Sequence, residues 1–261
     1  MNTIINPREW YDANRTNCRG IAVVVHGLNT KPQACEPLCK ALAQRGFSSL
    51  RVALSGHYTG SMELQKVSCR LWLDDIEAAW NEAKGRSSGL PLFCVSYSTG
   101  ALLCMSAVGR GMISFKRMYL LAPPIALQPA AKFLPLLLPF SLLGVSLPSL
   151  SPKDIRLHSW TPLNAYKAMF QARKTLFKKA AIQKLSSVPS RITIDPRDEF
   201  VAIDGLRCWQ HDMLLENWDI EALHSEGESG KFRRHLLISP QRMGRAWNHM
   251  VDDIAHFLGR K

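Results

Sequence analysis

A chain of 261 residues with 46% hydrophobic and 21% charged side chains can bury one large core unaided, which excludes disorder, a low-complexity tract and a membrane bundle as the main reading. The 33 Lys and Arg against 21 Asp and Glu leave a formal net charge of +12. Such a charge draws a protein toward anionic surfaces, but its sign alone does not choose between nucleic acid and acidic lipid.

The chain starts with a polar lead-in, residues 1–15, that lacks the apolar run of a secretory signal. Gly20 to Val25 is a short β-branched run ending at His26-Gly27, as expected of a buried parallel strand entering a tight loop. A helix over Cys35–Arg45 stops at Gly46, and a strand over Ser48–Leu54 runs into Ser55-Gly56-His57. Trp72 to Lys84 carries Leu73, Ile76, Ala79 and Trp80 at helical spacing. Leu90–Val95 then reads as a strand, Gly100–Gly109 as a small-residue helix and Met118–Ala122 as a fourth strand. After residue 187 come strands over Arg191–Ile194 and Trp218–Leu223, and a terminal helix over Arg242–Leu258. Strands alternating with helices predict an α/β domain with a mostly parallel sheet covered on both faces.

Residues 123–187 break that rhythm and are expected to form an inserted apolar cap, leaving 1–122 and 188–261 as the core. Phe133 to Leu150 is strongly apolar, but Pro135, Pro139 and Pro148 interrupt it and argue against a membrane-spanning helix. Lys153, Arg156, Lys167, Arg173, Lys174, Lys178 and Lys179 gather beside it, some of them on a lysine-rich helix expected over Ala165–Lys184. The seven cysteines are odd in number and show no CxxC pair. Several lie inside apolar runs, as in Phe93-Cys94-Val95, so buried thiols in a reducing, cytoplasmic setting are expected, and neither a disulfide framework nor a zinc site.

Ser96-Tyr97-Ser98-Thr99-Gly100 stands between a strand and a small-residue helix. A sharp strand-to-helix turn presses the positions two before and two after its central residue against neighbouring backbone. It therefore needs small residues there while the central hydroxyl projects into a site. Ser96 departs from the glycine usual at the first position yet is small, and a bland alternative is a Ser/Thr-rich loop capping a helix. Upstream, His26-Gly27-Leu28-Asn29 follows the first apolar strand. Its backbone N–H groups, chiefly Leu28, and the amide of Thr99 suit an oxyanion hole, with His26 as a structural strand-end histidine.

Together with Leu54-Ser55-Gly56-His57 and Leu120-Leu121-Ala122-Pro123, these segments resemble the α/β-hydrolase superfamily, in particular its lysophospholipase- and carboxylesterase-like branch. The resemblance spans nearly the whole chain and is weakest in the cap. It implies a Ser…Asp…His order, with Ser98 as nucleophile and the acid at Asp198, which Phe200-Val201 follow; Asp195, before Pro196, is the rival and suits a turn. For the histidine it leaves His235, His224 and His249, of which His235, in Arg234-His235-Leu236-Leu237-Ile238, matches best. Lys231, Arg233 and Arg234 around it would disfavour an imidazolium, so the acid would have to balance the charge. The resemblance implies an acyl-enzyme route to carboxylic ester hydrolysis that needs no metal or organic cofactor.

The cap's apolar wall, with Leu137 and Phe140 as candidate substrate contacts, suits acyl-lipid esters of the monoacylglycerol or lysophospholipid kind. Its basic flank suits peripheral contact with an anionic membrane. Core packing and a merely solvated lysine helix are the plainer alternatives. A thioesterase or acyltransferase on the same residues, or a catalytically silent binding protein, stands as the alternative function. No nucleic-acid partner is expected, because no recognition motif accompanies the charge.

Overall fold

The computed structural model describes residues 6–58, 63–131, 133–227 and 234–260. A seven-stranded sheet forms the centre: β1 (Arg8–Tyr11), β2 (Gly20–Val25), β3 (Phe47–Val52), β4 (Leu92–Tyr97), β5 (Arg117–Leu121), β8 (Ser190–Ile194) and β9 (Trp218–Ala222), in spatial order 1-3-2-4-5-8-9. All neighbours are parallel except β1, which pairs antiparallel with β3 at the edge. Every residue of β2 and β3 is buried, because helices cover both sheet faces.

α1 (Glu36–Gln44) and α8 (Ala246–Gly259) touch each other and form one helical layer; α2 (Cys69–Arg86), α3 (Thr99–Arg110), α4 (Leu163–Thr175) and α5 (Lys179–Leu185) form the other. α2 starts before Trp72 because the Ser68 hydroxyl caps it, accepting the Leu71 N–H at 3.1 Å. α6 (Ile203–Asp212) leads into β9, and the short α7 (Pro240–Met243) precedes α8. The terminal helix expected over Arg242–Leu258 is thus broken, at Gly244, whose φ of 58° leaves the helical region.

The helix expected over Ala165–Lys184 is likewise two helices. The break falls where the buried Leu176 carbonyl accepts the Trp209 indole N–H at 3.2 Å. β1 lies within the polar lead-in, where the sequence predicts no element. It is fixed from the side by Arg51 of β3, 2% exposed, which pairs with Glu9.

Residues 123–187 divide into two parts rather than forming one cap. α4 and α5 pack on α3 and bury Ala165, Ala168, Phe170, Ala172 and Leu185 in the main core. What overhangs the sheet is the earlier stretch, a 3₁₀ run over Leu134–Leu143 and a hairpin of β6 (Ser146–Pro148) with β7 (Trp160–Pro162). This overhang lies above the carboxyl ends of β2, β4 and β8, beside the reversal in strand order at β2 and β4 where open α/β sheets hold ligands.

Candidate active site

β4 ends at Tyr97 and α3 starts at Thr99, so Ser98 alone makes the turn, at φ 52° and ψ −121°. That is a left-handed strain for a non-glycine residue, held by its N–H donating to the Leu121 carbonyl at 2.8 Å. A Cβ at Gly100 would lie 2.5 Å from the His26 carbonyl oxygen, so backbone against backbone dictates glycine there. Serine fits at position 96 because its neighbours are small: the hydroxyl sits 2.8 Å from Cys94 Sγ and 3.3 Å from Cys104 Sγ.

Ser98 Oγ lies 2.9 Å from His235 Nε2, and His235 Nδ1 lies 2.7 Å from Asp198 Oδ2. With Nδ1–H donating to the carboxylate, Nε2 is free to accept the serine proton. Asp198 is fixed from behind, its Oδ1 accepting the Phe200 and Val201 N–H groups at 2.8 and 2.9 Å. Tyr97 and Phe200 flank the imidazole with ring centres 5.3 and 5.2 Å away. The Glu199 carboxylate accepts the backbone N–H groups of Arg234 and His235, both at 3.2 Å, and so seats the loop that carries the histidine. Sequence reasoning missed Glu199; its place beside Asp198 was the only signal.

Asp195 does not reach the histidine. Its buried carboxylate binds Arg197 in two places, at 3.0 and 2.9 Å, and Ser225 through N–H and hydroxyl at 2.9 and 2.6 Å. Burial resists its ionisation, but the bonds from Arg197 and Ser225 prevail and lower its pKa to about 2. His224 and His249 are exposed, and neither is among the residues lining the cleft at Ser98. The Arg234 guanidinium is turned to the Ser225 carbonyl and hydroxyl, at 2.5 and 2.9 Å, while Lys231 and Arg233 lie outside the described residues.

Leu28 and Thr99 both line the cleft at Ser98, and among the described residues neither amide donates to a protein acceptor. The next amide, Asn29 N–H, is taken by His57 Nε2 at 3.0 Å and is not available to a ligand. A Cβ at Gly27 would meet the Tyr97 ring at 2.8 Å, so glycine brings this loop against the turn at Ser98. His26 is a strand-end anchor: Nε2 accepts the Leu54 N–H at 3.1 Å and Nδ1 donates to the Gly27 carbonyl at 2.7 Å.

The cleft encloses about 730 Å³ counted out to its mouth, and Leu127, Leu134, Leu150, Tyr166, Met169 and Phe200 make its apolar walls. Leu137 and Phe140, expected to face substrate, are not in the lining; they are 40% and 50% exposed on the outside of the overhang. The 3₁₀ run turns Leu134, Leu138 and Ser141 inward and the residues between them outward. Arg173, counted from sequence among the surface cations, is instead drawn in: its Nε donates to the Ile125 carbonyl at 2.6 Å and its guanidinium lies over Phe177.

A sharp serine turn at the end of a central strand, a His–Asp pair and two unengaged amides on one α/β sheet define the α/β-hydrolase class. The chain belongs to the family described as serine aminopeptidase, S33, whose model matches residues 16–201. Among solved structures it is similar to a soluble variant of monoglyceride lipase from Saccharomyces cerevisiae in complex with a substrate analog, at 14% identity and a TM-score of 0.79, with 96% of this chain and 90% of that one covered. The monoacylglycerol lipase of Paleococcus ferrophilus gives 14% identity and a TM-score of 0.72 over 97% of both chains. Est1E of Butyrivibrio proteoclasticus, with ferulic acid bound, gives 16% and 0.63 over 96% and 94%. At this identity the likeness is one of fold. A search of the curated proteins gives no match.

Proposed function

We propose that the protein is a serine hydrolase of carboxylic esters that acts on acyl-lipid esters of the monoacylglycerol or lysophospholipid kind. The observation that carries the reading is the unbroken chain from Ser98 Oγ through His235 to Asp198, opening onto an apolar cleft. In this reading His235 Nε2 takes the Ser98 proton as the oxygen attacks the acyl carbonyl. The oxyanion is held by the Leu28 and Thr99 amides, and His235 returns the proton to the departing alcohol. Water, deprotonated by the same imidazole, then frees the acid.

The family's description names an aminopeptidase, but a charged α-amine is best held by a carboxylate, and among the described residues the lining of this cleft has no Asp or Glu. A hydrocarbon chain needs only the walls that are there. The names of similar structures, two monoacylglycerol lipases among them, agree with an ester substrate.

The outer face of the overhang leaves Phe133, Leu136, Leu142 and Leu143 between 69% and 84% exposed. Lys31 reaches the carbonyls of Lys153 and Asp154 at its side, and Arg156 the Ser149 carbonyl and the Ser159 hydroxyl of its hairpin. That combination suits peripheral contact with an anionic membrane. No described helix is long and apolar enough to cross one. The cysteines, all unpaired, agree with a reducing, cytoplasmic setting.

A fluorophosphonate probe tests the reading. It should label Ser98 in the wild-type protein and not in Ser98→Ala, and the variant should lose turnover of p-nitrophenyl esters while keeping its fold. A folded wild-type protein that neither takes the label nor hydrolyses esters would be a binding protein on a hydrolase fold. Label without hydrolysis of oxygen esters would favour a thioesterase or acyltransferase.

A further inference from the structure

Asn29 uses every polar atom it has, and it is 2% exposed. Its N–H donates to His57 Nε2 at 3.0 Å. Its carbonyl accepts the Leu157 N–H at 2.9 Å. The side-chain Nδ2 donates to Thr161 Oγ1 and to the His158 carbonyl, both at 2.8 Å, and Oδ1 accepts the His158 N–H at 2.9 Å. Four of these five bonds go to residues 157–161, the returning arm of the overhanging hairpin. The fifth goes to the loop after β3. At φ 49° the backbone is left-handed, which asparagine tolerates better than most residues.

His57 is wholly buried, its ring centre 4.6 Å from that of His26 and 5.9 Å from that of Trp72. Only the neutral ring, with its proton on Nδ1, can accept at Nε2. Burial, reinforced by the neighbouring imidazoles of His26 and His158, keeps it neutral. Asn29 is thus clamped between a fixed acceptor below and the hairpin above; the Leu28–Asn29 peptide unit is held through the Asn29 N–H, and the Gly27–Leu28 unit, which carries the Leu28 N–H, is joined to it through the Leu28 Cα.

We propose that Asn29 is a positioning residue that couples the hairpin to the oxyanion loop, so that seating of residues 157–161 sets the direction of the Leu28 N–H. The proposal rests on the reading of Ser98 as nucleophile and Leu28 as oxyanion donor. A merely structural asparagine would alter stability and leave the folded enzyme's rate alone. A positioning one acts on the charge that develops in the transition state, so its loss lowers kcat and leaves KM nearly unchanged.

The experiment measures kcat and KM on a short p-nitrophenyl ester for wild type, Asn29→Ala, Thr161→Val and the double variant, with circular dichroism to verify folding. Fluorophosphonate labelling of the wild type at Ser98 tests the underlying reading separately. Asn29→Ala should lower kcat about 100-fold with KM within about 2-fold of wild type. Thr161→Val removes one bond on the hairpin side without changing the volume, and should lower kcat about 10-fold. The double variant should be no slower than Asn29→Ala, because both cut one link. Folded Asn29→Ala at the wild-type kcat overturns the proposal. So does Thr161→Val at the wild-type kcat, which decides the matter alone if Asn29→Ala does not fold. A wild-type protein that is neither labelled nor active removes the nucleophile reading, and this proposal with it.

Discussion

Two aspartates three residues apart end the turn after β8 with different partners. Asp198 faces the imidazole, at 2.7 Å from Nδ1, and Asp195 faces Arg197 and Ser225. Asp198→Asn should cut kcat by about 10⁴ with little loss of stability, because an amide favours the wrong imidazole tautomer. Asp195→Asn should leave kcat of the folded protein near wild type and lower stability by about 2 kcal/mol. That is less than a fully buried pair would lose, since Arg197 is 49% exposed. Kinetics and urea midpoints on both variants separate the two roles; the reverse pattern would make Asp195 the acid.

A second residue-scale consequence concerns acid. Burial pushes His26 down to about 4 and His57 well below the ordinary histidine range. The unfolded chain binds protons at these residues near pH 6.5 while the folded one does not. Stability is therefore fully present above about 6.5 and is lost as pH falls toward 4, with His26 contributing roughly 3 kcal/mol over that interval. Urea midpoints between pH 7.5 and 4.5 measure it. Asp195, already depressed to about 2, contributes only to losses below the usual carboxylate range and does not blur this window. A midpoint that stays level from 7.5 to 4.5 would contradict buried neutral imidazoles.

Among the elements, the 3₁₀ run over Leu134–Leu143 has two faces with separate consequences. Leu134 lines the cleft, while Leu137 and Phe140 stand outside it. If the walls hold an acyl chain, each buried methylene adds about 0.8 kcal/mol, roughly a factor of four in kcat/KM. Leu134→Gln should therefore reduce the ratio of octanoate to acetate ester hydrolysis, whereas Leu137→Ser and Phe140→Ser should leave that ratio unchanged. Equal effects from all three would mean that the run turns over to bring its outer face to the substrate.

At the scale of the whole molecule, the proposed membrane contact would draw on both the formal charge of +12 and the apolar overhang. Attraction to an anionic surface is screened beyond about 10 Å at 0.1 M salt, whereas apolar insertion persists. Vesicles containing phosphatidylserine should sediment the protein at low salt and release most of it at high salt. Leu142→Ser with Leu143→Ser, at 84% and 74% exposure, should weaken binding at every salt concentration without changing hydrolysis of a soluble acetate ester. Binding that ignores both substitutions would be electrostatic alone.

The sequence by itself determined the parallel strands of the sheet and the sharp turn at Ser98, because both are local. β2 reads as an uninterrupted apolar run since both its faces are covered, and Gly100 is written beside Ser98 since the turn leaves no room for a Cβ. For the proposed acid and base, Asp198 and His235, it offers only a family order and no contact it could display. Tertiary structure decided the rest. It separated Asp198 from Asp195 by which carboxylate meets the imidazole, and His235 from His224 by burial. It paired β1 with β3 through Arg51, and it ended α4 at a carbonyl captured by Trp209 from another element. It also turned Leu134 inward and Leu137 outward on a run that is apolar all round, where periodicity marks no face. In each case the deciding partner is far away in the chain, and spacing along a sequence carries no distance between such residues.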